Sequence, residues 1–288
     1  MDDPSLPNAV LLLTCPDQRG VVAAVADFIA RLDGNIIHAE QHTDDVERVF
    51  FQRVEFELAG FALGRDEILA AFQPLVQRFG FDVALRFTDD RIRTAVLASK
   101  QPHCLYDLLT RWRTGELPMD LAAVISNHND HAEICAHMGV PYVHLPVTPD
   151  KKHEQEQAVT ARLRDDNVEL VVLARYMQIL SPELCDALAG RIINIHHSFL
   201  PGFKGANPYK QAHARGVKII GATAHFVTSD LDEGPIIEQN IVRVDHTRTP
   251  AELMAIGQDE ESRTLTQAVK WFAEDRVLLD GVRTIIFR

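Results

Sequence analysis

The stretch RIINIHHSFLP, residues 191–201, ends an apolar run in polar side chains directly before a proline. Its β-branched residues predict a buried strand that ends at Pro201. Successive side chains of a strand point to opposite faces, so we expect Asn194 and His196 on one face and Ile195 and His197 on the other. The two histidines are therefore not predicted to bind one metal ion together.

Strands alternate with helical stretches across this region, which predicts an α/β domain with a parallel sheet covered on both faces. The predicted strands are TAVLAS, DLAAVISN, PYVHLPV, VELVVLA, RIINIH and VKIIGATAHFV. The predicted helices are residues 103–117, 130–139, 152–166, 181–189 and 208–216, followed by a longer pair within 249–277. Open parallel sheets bind ligands beyond the carboxyl ends of their strands, so Asn194 and His196 lie where chemistry is expected.

A second polar group follows the last of these strands, in GATAHFVTSDLDEGPII, residues 221–237. Acyl transfer needs three kinds of group at one site. These are an amide that polarises the carbonyl, an imidazole that moves a proton and a carboxylate that orients a water. The two strand-end residues and an aspartate of this loop could supply these groups. The alternative is a structural role, in which Asn194 caps the strand and His196 is an interior histidine with its hydrogen bonds satisfied. His197 and His225 would then serve in packing, and Asp230 and Glu233 in a solvated turn.

The first 88 residues follow a different pattern of strand, helix, strand, strand, helix, strand, which predicts a compact βαββαβ α+β sandwich. Asp17 is placed to cap the first helix. Residues 50–58, FFQRVEFEL, alternate between an apolar buried face and a wet face that includes Arg53. The charged link TDDRIR then separates two predicted domains, residues 1–88 and 89–288.

The charge balance, 29 Lys and Arg against 41 Asp and Glu, gives a net charge of -12. Such a chain repels nucleic acid and anionic membranes, so neither is an expected partner. The start of the chain lacks the basic and apolar stretches of a signal peptide, and we expect a cytoplasmic location. The four cysteines show no C-x-x-C spacing, and no metal site is predicted.

NIHHSFLP together with GATAHFVTSDLDEGPII resembles the signature of folate-dependent formyltransferases, an Asn-x-His on one strand and an Asp in a following D-x-G loop. Residues 205–246 resemble the formyltetrahydrofolate deformylase family more specifically, and TCPDQRGVVAAVADFIARLDGNI resembles the ACT domain of that family. The resemblance covers nearly the whole chain. It implies a Rossmann-like formyltransferase domain behind the ACT-like sandwich, 10-formyltetrahydrofolate as substrate, and no cofactor.

Residue by residue, the resemblance implies that Asn194, His196 and Asp232 are catalytic. The folate is expected where the strand order reverses, between the first and fourth strands of the second domain. The substrate-binding residues implied by the resemblance are Met177, Ile179 and Leu180 around the pterin, Gly205 with Lys204 in the loop LPGFKGANPY, and His225.

Hydrolysis and transfer begin alike, with attack on the formyl carbon. In a hydrolase water attacks, supplying formate and free folate for one-carbon and purine metabolism, whereas a transferase holds an amine such as glycinamide ribonucleotide there. The first strand of the second domain is followed by SKQPH rather than a glycine-rich phosphate cradle, which favours hydrolysis. A folate-sensing binding protein is the remaining possibility, and the complete set of Asn194, His196 and Asp232 argues against it.

The ACT resemblance implies side-by-side pairing and a small amino acid bound in the turn after the first strand, here CPDQRG. Helix amides around Asp17 and Gly20, with Asn35 on the next strand, could hold the carboxylate and amine of that effector. Glycine and methionine are the expected effectors, because folate one-carbon flux feeds both. The alternative is a ligand-free sandwich that only assembles a homo-oligomer, with a tetramer as the expected size.

Overall fold

The computed structural model describes residues 7–200 and 208–288, which form two compact units. The first unit extends to Arg91 and includes Glu274–Asp280 and Ile285–Arg288, and the second comprises Ile92–Ala273 and Gly281–Thr284. The predicted boundary after residue 88 lies slightly earlier. The prediction also assigned all C-terminal residues to the second domain, whereas most residues after Ala273 group with the first. None of the described helices is both long and apolar enough to cross a membrane.

The first unit is a four-stranded antiparallel sheet with two helices. Its elements are β1 (Asn8–Pro16), α1 (Val21–Arg31), β2 (Ile36–Asp44), β3 (Val49–Glu57), α2 (Arg65–Phe79) and β4 (Asp82–Phe87), in the sheet order β2-β3-β1-β4. Alternate residues of β1 and β3 join the helices in an aromatic core around Phe72, whose ring centroid lies 5.0 Å from that of Phe28 and 5.7 Å from that of Phe81. The predicted βαββαβ order is confirmed.

Two local predictions in this unit are wrong. Asp17 does not cap α1, because Gly20, at φ 91°, is the N-cap and the Asp17 carboxylate pairs with Arg48 at 2.8 Å. Arg53 is not on a wet face, since its side chain is only 3% exposed and its Nε donates to the carbonyl of Asp275 at 3.1 Å. The alternation of residues along a strand cannot predict that the Arg53 side chain is buried by a segment 222 positions further along the chain.

The second unit contains a seven-stranded sheet of order β11-β10-β9-β8-β5-β6-β7. Its elements are β5 (Ile92–Ala98), α3 (His103–Arg113), β6 (Met119–Ser126), α4 (Ala132–Met138), β7 (Tyr142–His144), a 3-10 turn (Pro149–Lys151), α5 (Lys152–Asp165), β8 (Leu170–Ala174), α6 (Pro182–Ala187), β9 (Ile192–His196), α7 (Pro208–Arg215), β10 (Ile219–Phe226), β11 (Ile236–Arg243) and α8 (Pro250–Ala273). The neighbouring strands β9, β8, β5, β6 and β7 pair in parallel. Strand β10 pairs antiparallel with both of its neighbours, β9 and β11. The strand order reverses between β5 and β8, so the doubly wound, mostly parallel sheet is confirmed.

The end of the chain departs from the prediction. A pair of helices within 249–277 is wrong, because α8 is one continuous helix. Gly257 does not interrupt α8; a Cβ there would stand 2.1 Å from the Tyr209 hydroxyl oxygen, so this glycine makes room for that side chain. Strand β11 was not predicted, nor were β12 (Val277–Asp280) and β13 (Arg283–Ile286), which pair as a two-stranded ribbon.

Truncation of Phe72 tests the aromatic core of the first unit. Phe72→Ala removes a fully buried ring and leaves a cavity, so the free energy of unfolding of this unit should fall by about 3–5 kcal/mol. Leu69→Ala on the same helix is the matched control, because that side chain is 38% exposed and its loss should cost about 1 kcal/mol or less. Urea unfolding followed by circular dichroism measures both changes. Equal losses for the two variants would contradict the core assignment.

Candidate active site

A cavity of about 250 Å³ lies at the carboxyl ends of β8 and β9. Its wall is formed by those strand ends, by the segment after β8 and by the loop after β10. The predicted residues that line it are Met177, Ile179, Leu180, Asn194, His196, His225 and Asp232. The cavity lies one strand further along the sheet than the reversal point between β5 and β8, where the sequence predicts the folate. Gly205 and Lys204 lie outside the described residues.

Asp232 and His196 lie side by side in this cavity, with 3.3 Å between His196 Nδ1 and Asp232 Oδ2. The hydrogen bond from His196 is the main reason that the pKa of Asp232 lies below its ordinary value, against the opposing effect of burial. Asp232 is therefore ionised and accepts the Nδ1 proton of the ring. This leaves Nε2 of His196 as the nitrogen that can exchange a proton with a water or a substrate.

The amide of Asn194 is oriented by His225, which lies opposite it in the antiparallel pairing of β9 with β10. Asn194 Nδ2 lies 3.2 Å from His225 Nε2, and His225 Nδ1 lies 2.8 Å from the carbonyl oxygen of Phe226. A carbonyl only accepts, so Nδ1 carries the proton and Nε2 accepts from the amide. Burial lowers the pKa of His225, which keeps the ring neutral. The second N–H of Asn194 Nδ2 is the one that a ligand in the cavity can use.

The loop after β10 returns the chain toward the strand ends and so presents Asp232. This residue has φ 59°, in the left-handed region that aspartate tolerates better than most residues. A Cβ at Gly234 would lie 1.8 Å from the carbonyl oxygen of Phe226, so only glycine fits there. The N–H of Phe226 closes the turn by donating to the carbonyl of Pro235 at 2.8 Å. The D-x-G pattern therefore has a steric basis.

His197 does not face away from His196, and the prediction that it does is wrong. Strand β9 ends at His196, so alternation no longer governs the next residue. The two rings are stacked, with centroids 4.8 Å apart and planes 26° from parallel. Nη1 of Arg175 lies 3.1 Å from His197 Nδ1. Burial, followed by the charge of Arg175, lowers the pKa of His197 from 6.5 to about 4, so the ring is neutral near pH 7.

Sequence reasoning missed the charged group around Glu261 on α8. Its buried carboxylate accepts from the Tyr209 hydroxyl at 2.7 Å, pairs with His103 Nε2 at 2.9 Å and lies 3.3 Å from Arg175 Nε. Burial alone would raise the pKa of Glu261, but these three partners, His103 foremost, lower it. The sequence does offer one indication of this group, which is a glutamate within the apolar stripe of α8. A buried carboxylate requires charged or hydrogen-bonding partners.

Among the residues that the structure describes, potential metal-ligand atoms of His103, Cys104 and Glu261 lie within 4.8 Å of one another. Burial raises the pKa of the Cys104 thiol far above its ordinary value, which opposes the thiolate that a metal would need. Arg175 already lies against the same carboxylate. The cation that lies against Glu261 in this structure is the Arg175 guanidinium.

The segment after β8 is fixed by Ser99, at the end of β5. The Ser99 hydroxyl accepts from the N–H of Met177 at 3.0 Å and donates to Asn127 at 2.7 Å. Met177 and Ile179 nevertheless leave 60% and 59% of their surface exposed at the cavity. Their backbone is therefore held while their apolar side chains stay open to a ligand.

The three residues predicted to bind an effector lie in the first unit. Asp17 is engaged by Arg48, and the Asn35 amide donates to Glu57 at 2.9 Å. Gly20 starts α1, and a Cβ on it would meet nothing within 4 Å. These contacts tie Asp17 and Asn35 to separate partners and leave the start of the helix open.

Both units match known families. The family model described as "Formyl transferase" matches residues 92–269, and the ACT domain model matches residues 9–75. The glycinamide ribonucleotide transformylase 1 of Symbiobacterium toebii resembles only part of the chain: its crystal structure aligns over 71% of this chain and 98% of its own, with a TM-score of 0.65 at 36% identity.

Two further proteins match over nearly their whole length. A formyltetrahydrofolate deformylase of Synechocystis sp. is 48% identical over 280 residues, which are 97% of this chain and 98% of that protein. The crystal structure of a formyltetrahydrofolate deformylase from Pseudomonas syringae has a TM-score of 0.96 at 41% identity, covering 99% of this chain and 96% of its own. With such identity across both units, this chain belongs to the formyltetrahydrofolate deformylase family.

Proposed function

We propose that this chain hydrolyses 10-formyltetrahydrofolate to formate and tetrahydrofolate in the cavity at the ends of β8 and β9. The observation that carries the proposal is the convergence of Asn194, His196 and Asp232 on that one cavity. The substrate follows from the family, whose members bear this name. Water and the folate are the reactants, and the reaction requires no cofactor.

The Asn194 amide stabilises the charge that develops when water attacks the formyl carbon. As the carbon becomes tetrahedral, its carbonyl oxygen takes up negative charge and accepts the N–H that His225 leaves unused. This hydrogen bond strengthens in the transition state, so it raises the rate rather than only the affinity. Because His225 already holds the amide, the donor needs no reorientation during the reaction.

His196 moves the proton. Asp232 holds Nδ1, so Nε2 takes a proton from the attacking water and then delivers it to N10 as the bond between the formyl carbon and N10 breaks. Asp232 is the weaker base, because its pKa is lowered, and its negative charge stabilises the imidazolium formed on the way. The second proton of the water leaves on formic acid, which ionises in solution.

Two variants test these roles. Asn194→Ala removes the oxyanion donor and should lower kcat about 100- to 1,000-fold. Asp232→Asn removes the charge that supports the imidazolium and should lower kcat by about 100-fold or more. The matched control is Glu233→Gln, which changes an exposed carboxylate in the same loop and should leave kcat within about twofold.

The assay follows tetrahydrofolate by absorbance and formate by titration, from 10-formyltetrahydrofolate with no amine present. Turnover by the wild type under these conditions separates a hydrolase from a transferase and from a binding protein. Near-native formate release by Asn194→Ala or Asp232→Asn would remove those residues from the mechanism.

The cellular setting is proposed on the same chemistry. Formate and tetrahydrofolate are one-carbon and purine precursors, so the products would enter those routes, in the cytoplasm. The ACT match supports a homo-oligomer assembled through the first unit. It also supports a small amino acid, glycine or methionine, as an effector at the start of α1, where free helix amides favour a carboxylate.

Calorimetry tests the effector directly. Glycine or methionine titrated into the full chain should release binding heat, and Asn35→Ala should weaken that binding about tenfold, because one hydrogen bond to the charged amine is lost. Leu69→Ala, on the outer side of α2, serves as the control and should bind unchanged. No heat with either amino acid would exclude both as effectors.

A further inference from the structure

His197 is a second histidine beside the proton carrier, and the mechanism above gives it no task. Its ring is stacked on that of His196, with 4.8 Å between centroids. Its Nδ1 faces Arg175 at 3.1 Å, and its buried Nε2 has no hydrogen-bond partner among the described residues. Two distinct contacts, one through the ring face and one through a single nitrogen, therefore determine where this ring lies.

Arg175 is fixed from its other side by Glu261. The carboxylate of Glu261 is only 2% exposed and is held by Tyr209 at 2.7 Å and His103 at 2.9 Å, and it forms an ion pair with Arg175 Nε at 3.3 Å that lacks hydrogen-bond geometry. Arg175 adopts φ 59°, a left-handed conformation that is strained for a residue with a side chain and that glycine adopts freely. Such strain at a cavity wall points to a task for the Arg175 side chain.

Arg175 selects one protonation form of His197. A guanidinium can only donate, so His197 Nδ1 must accept and the ring proton must lie on Nε2. The charged or titratable groups that act on His197 are Arg175, His196, Glu261 and Asp232. Burial, Arg175 and His196 together outweigh the two carboxylates and lower the pKa of His197 to about 4. The ring is thus neutral, in one tautomer and one orientation.

We propose that His197 is a positioning residue for His196: the Glu261-anchored guanidinium of Arg175 orients the His197 ring, and that ring, stacked on the His196 imidazole, keeps it aligned with Asp232. The proposal rests on the hydrolysis described above, in which His196 carries the proton. Phenylalanine could stack but offers Arg175 no acceptor. Asparagine could accept from Arg175 but cannot stack, so the two properties meet in a neutral histidine.

Paired substitutions separate the two contacts. His197→Phe keeps the flat ring and removes the acceptor, and His197→Asn keeps an acceptor and removes the ring. Each should lower kcat about 10- to 100-fold, because a misaligned His196 transfers the proton less often, with KM within about threefold of wild type.

Ser198→Ala is the matched control, since that neighbouring hydroxyl has no partner within the described part of the chain, and kcat should stay within about twofold. If either His197 variant keeps kcat within about twofold of wild type, the proposal is overturned.

Nitrogen-15 NMR of histidine-labelled wild type tests the orientation without relying on any variant to fold. The signal missing in His197→Phe identifies His197. Its Nδ1 should be unprotonated and its Nε2 protonated from pH 8 down to about pH 5, with protonation of Nδ1 only as the pH falls toward about 4. Arg175→Met, which removes the donor to Nδ1, should abolish this single tautomer. A protonated Nδ1 at pH 7 in the wild type would overturn the proposal.

The failure of the proposed hydrolysis can be told apart from the failure of this proposal. If the wild type released no formate, the proposed hydrolytic function would be excluded, while the tautomer of His197 would still decide the role of Arg175.

Discussion

The antiparallel pairing of β10 with β9 is the constraint on which the site depends. It sets His225 opposite Asn194, so that a neutral imidazole fixes the direction of the amide. Because of this pairing, β10 ends beside the start of β9. The D-x-G turn that follows β10 then returns the chain, so that Asp232 reaches His196. If β10 were parallel like the rest of the sheet, a long crossover would follow it and Asp232 would not return to the same strand.

The end of β5 is unsuited to binding the phosphate of an amine acceptor, which favours water as the nucleophile in the second unit. A phosphate cradle needs free backbone N–H groups at the start of the following helix. Here Pro102, which has no N–H, precedes α3, and the Ser99 hydroxyl is already shared between Asn127 and Met177. This strand end is therefore used to hold the cavity wall after β8. Water needs no such cradle, because the groups proposed to activate it lie on β9 and in the loop after β10.

The parts of the fold that were predictable are those set by local pattern. Period-two and period-3.6 stripes locate most strands and helices. The expectation that Asn194, His196 and Asp232 lie together comes from the resemblance of the Asn-x-His and D-x-G motifs to a known family, and the structure places all three at one cavity. The failures share one cause, which is dependence on distant partners. Arg53 is covered by Asp275, and Glu261 meets Arg175 only after α8 has packed against the sheet. His197 was misplaced because the exact residue at which a strand ends is not encoded in its alternation.

Charge separation explains why two histidines can stand side by side at this strand end. The Asp232 carboxylate accepts from His196 on one side, and the Glu261 carboxylate lies against Arg175 on the other. The neutral ring of His197 lies between these two pairs. If that ring gained a proton, its Nδ1 could no longer accept from Arg175, and two like charges would face each other across 3.1 Å, one of them stacked on the His196 ring. Burial prevents this near neutral pH, so in the proposed mechanism the same packing that hides His197 from water keeps the imidazolium formed on His196 free of a competing charge.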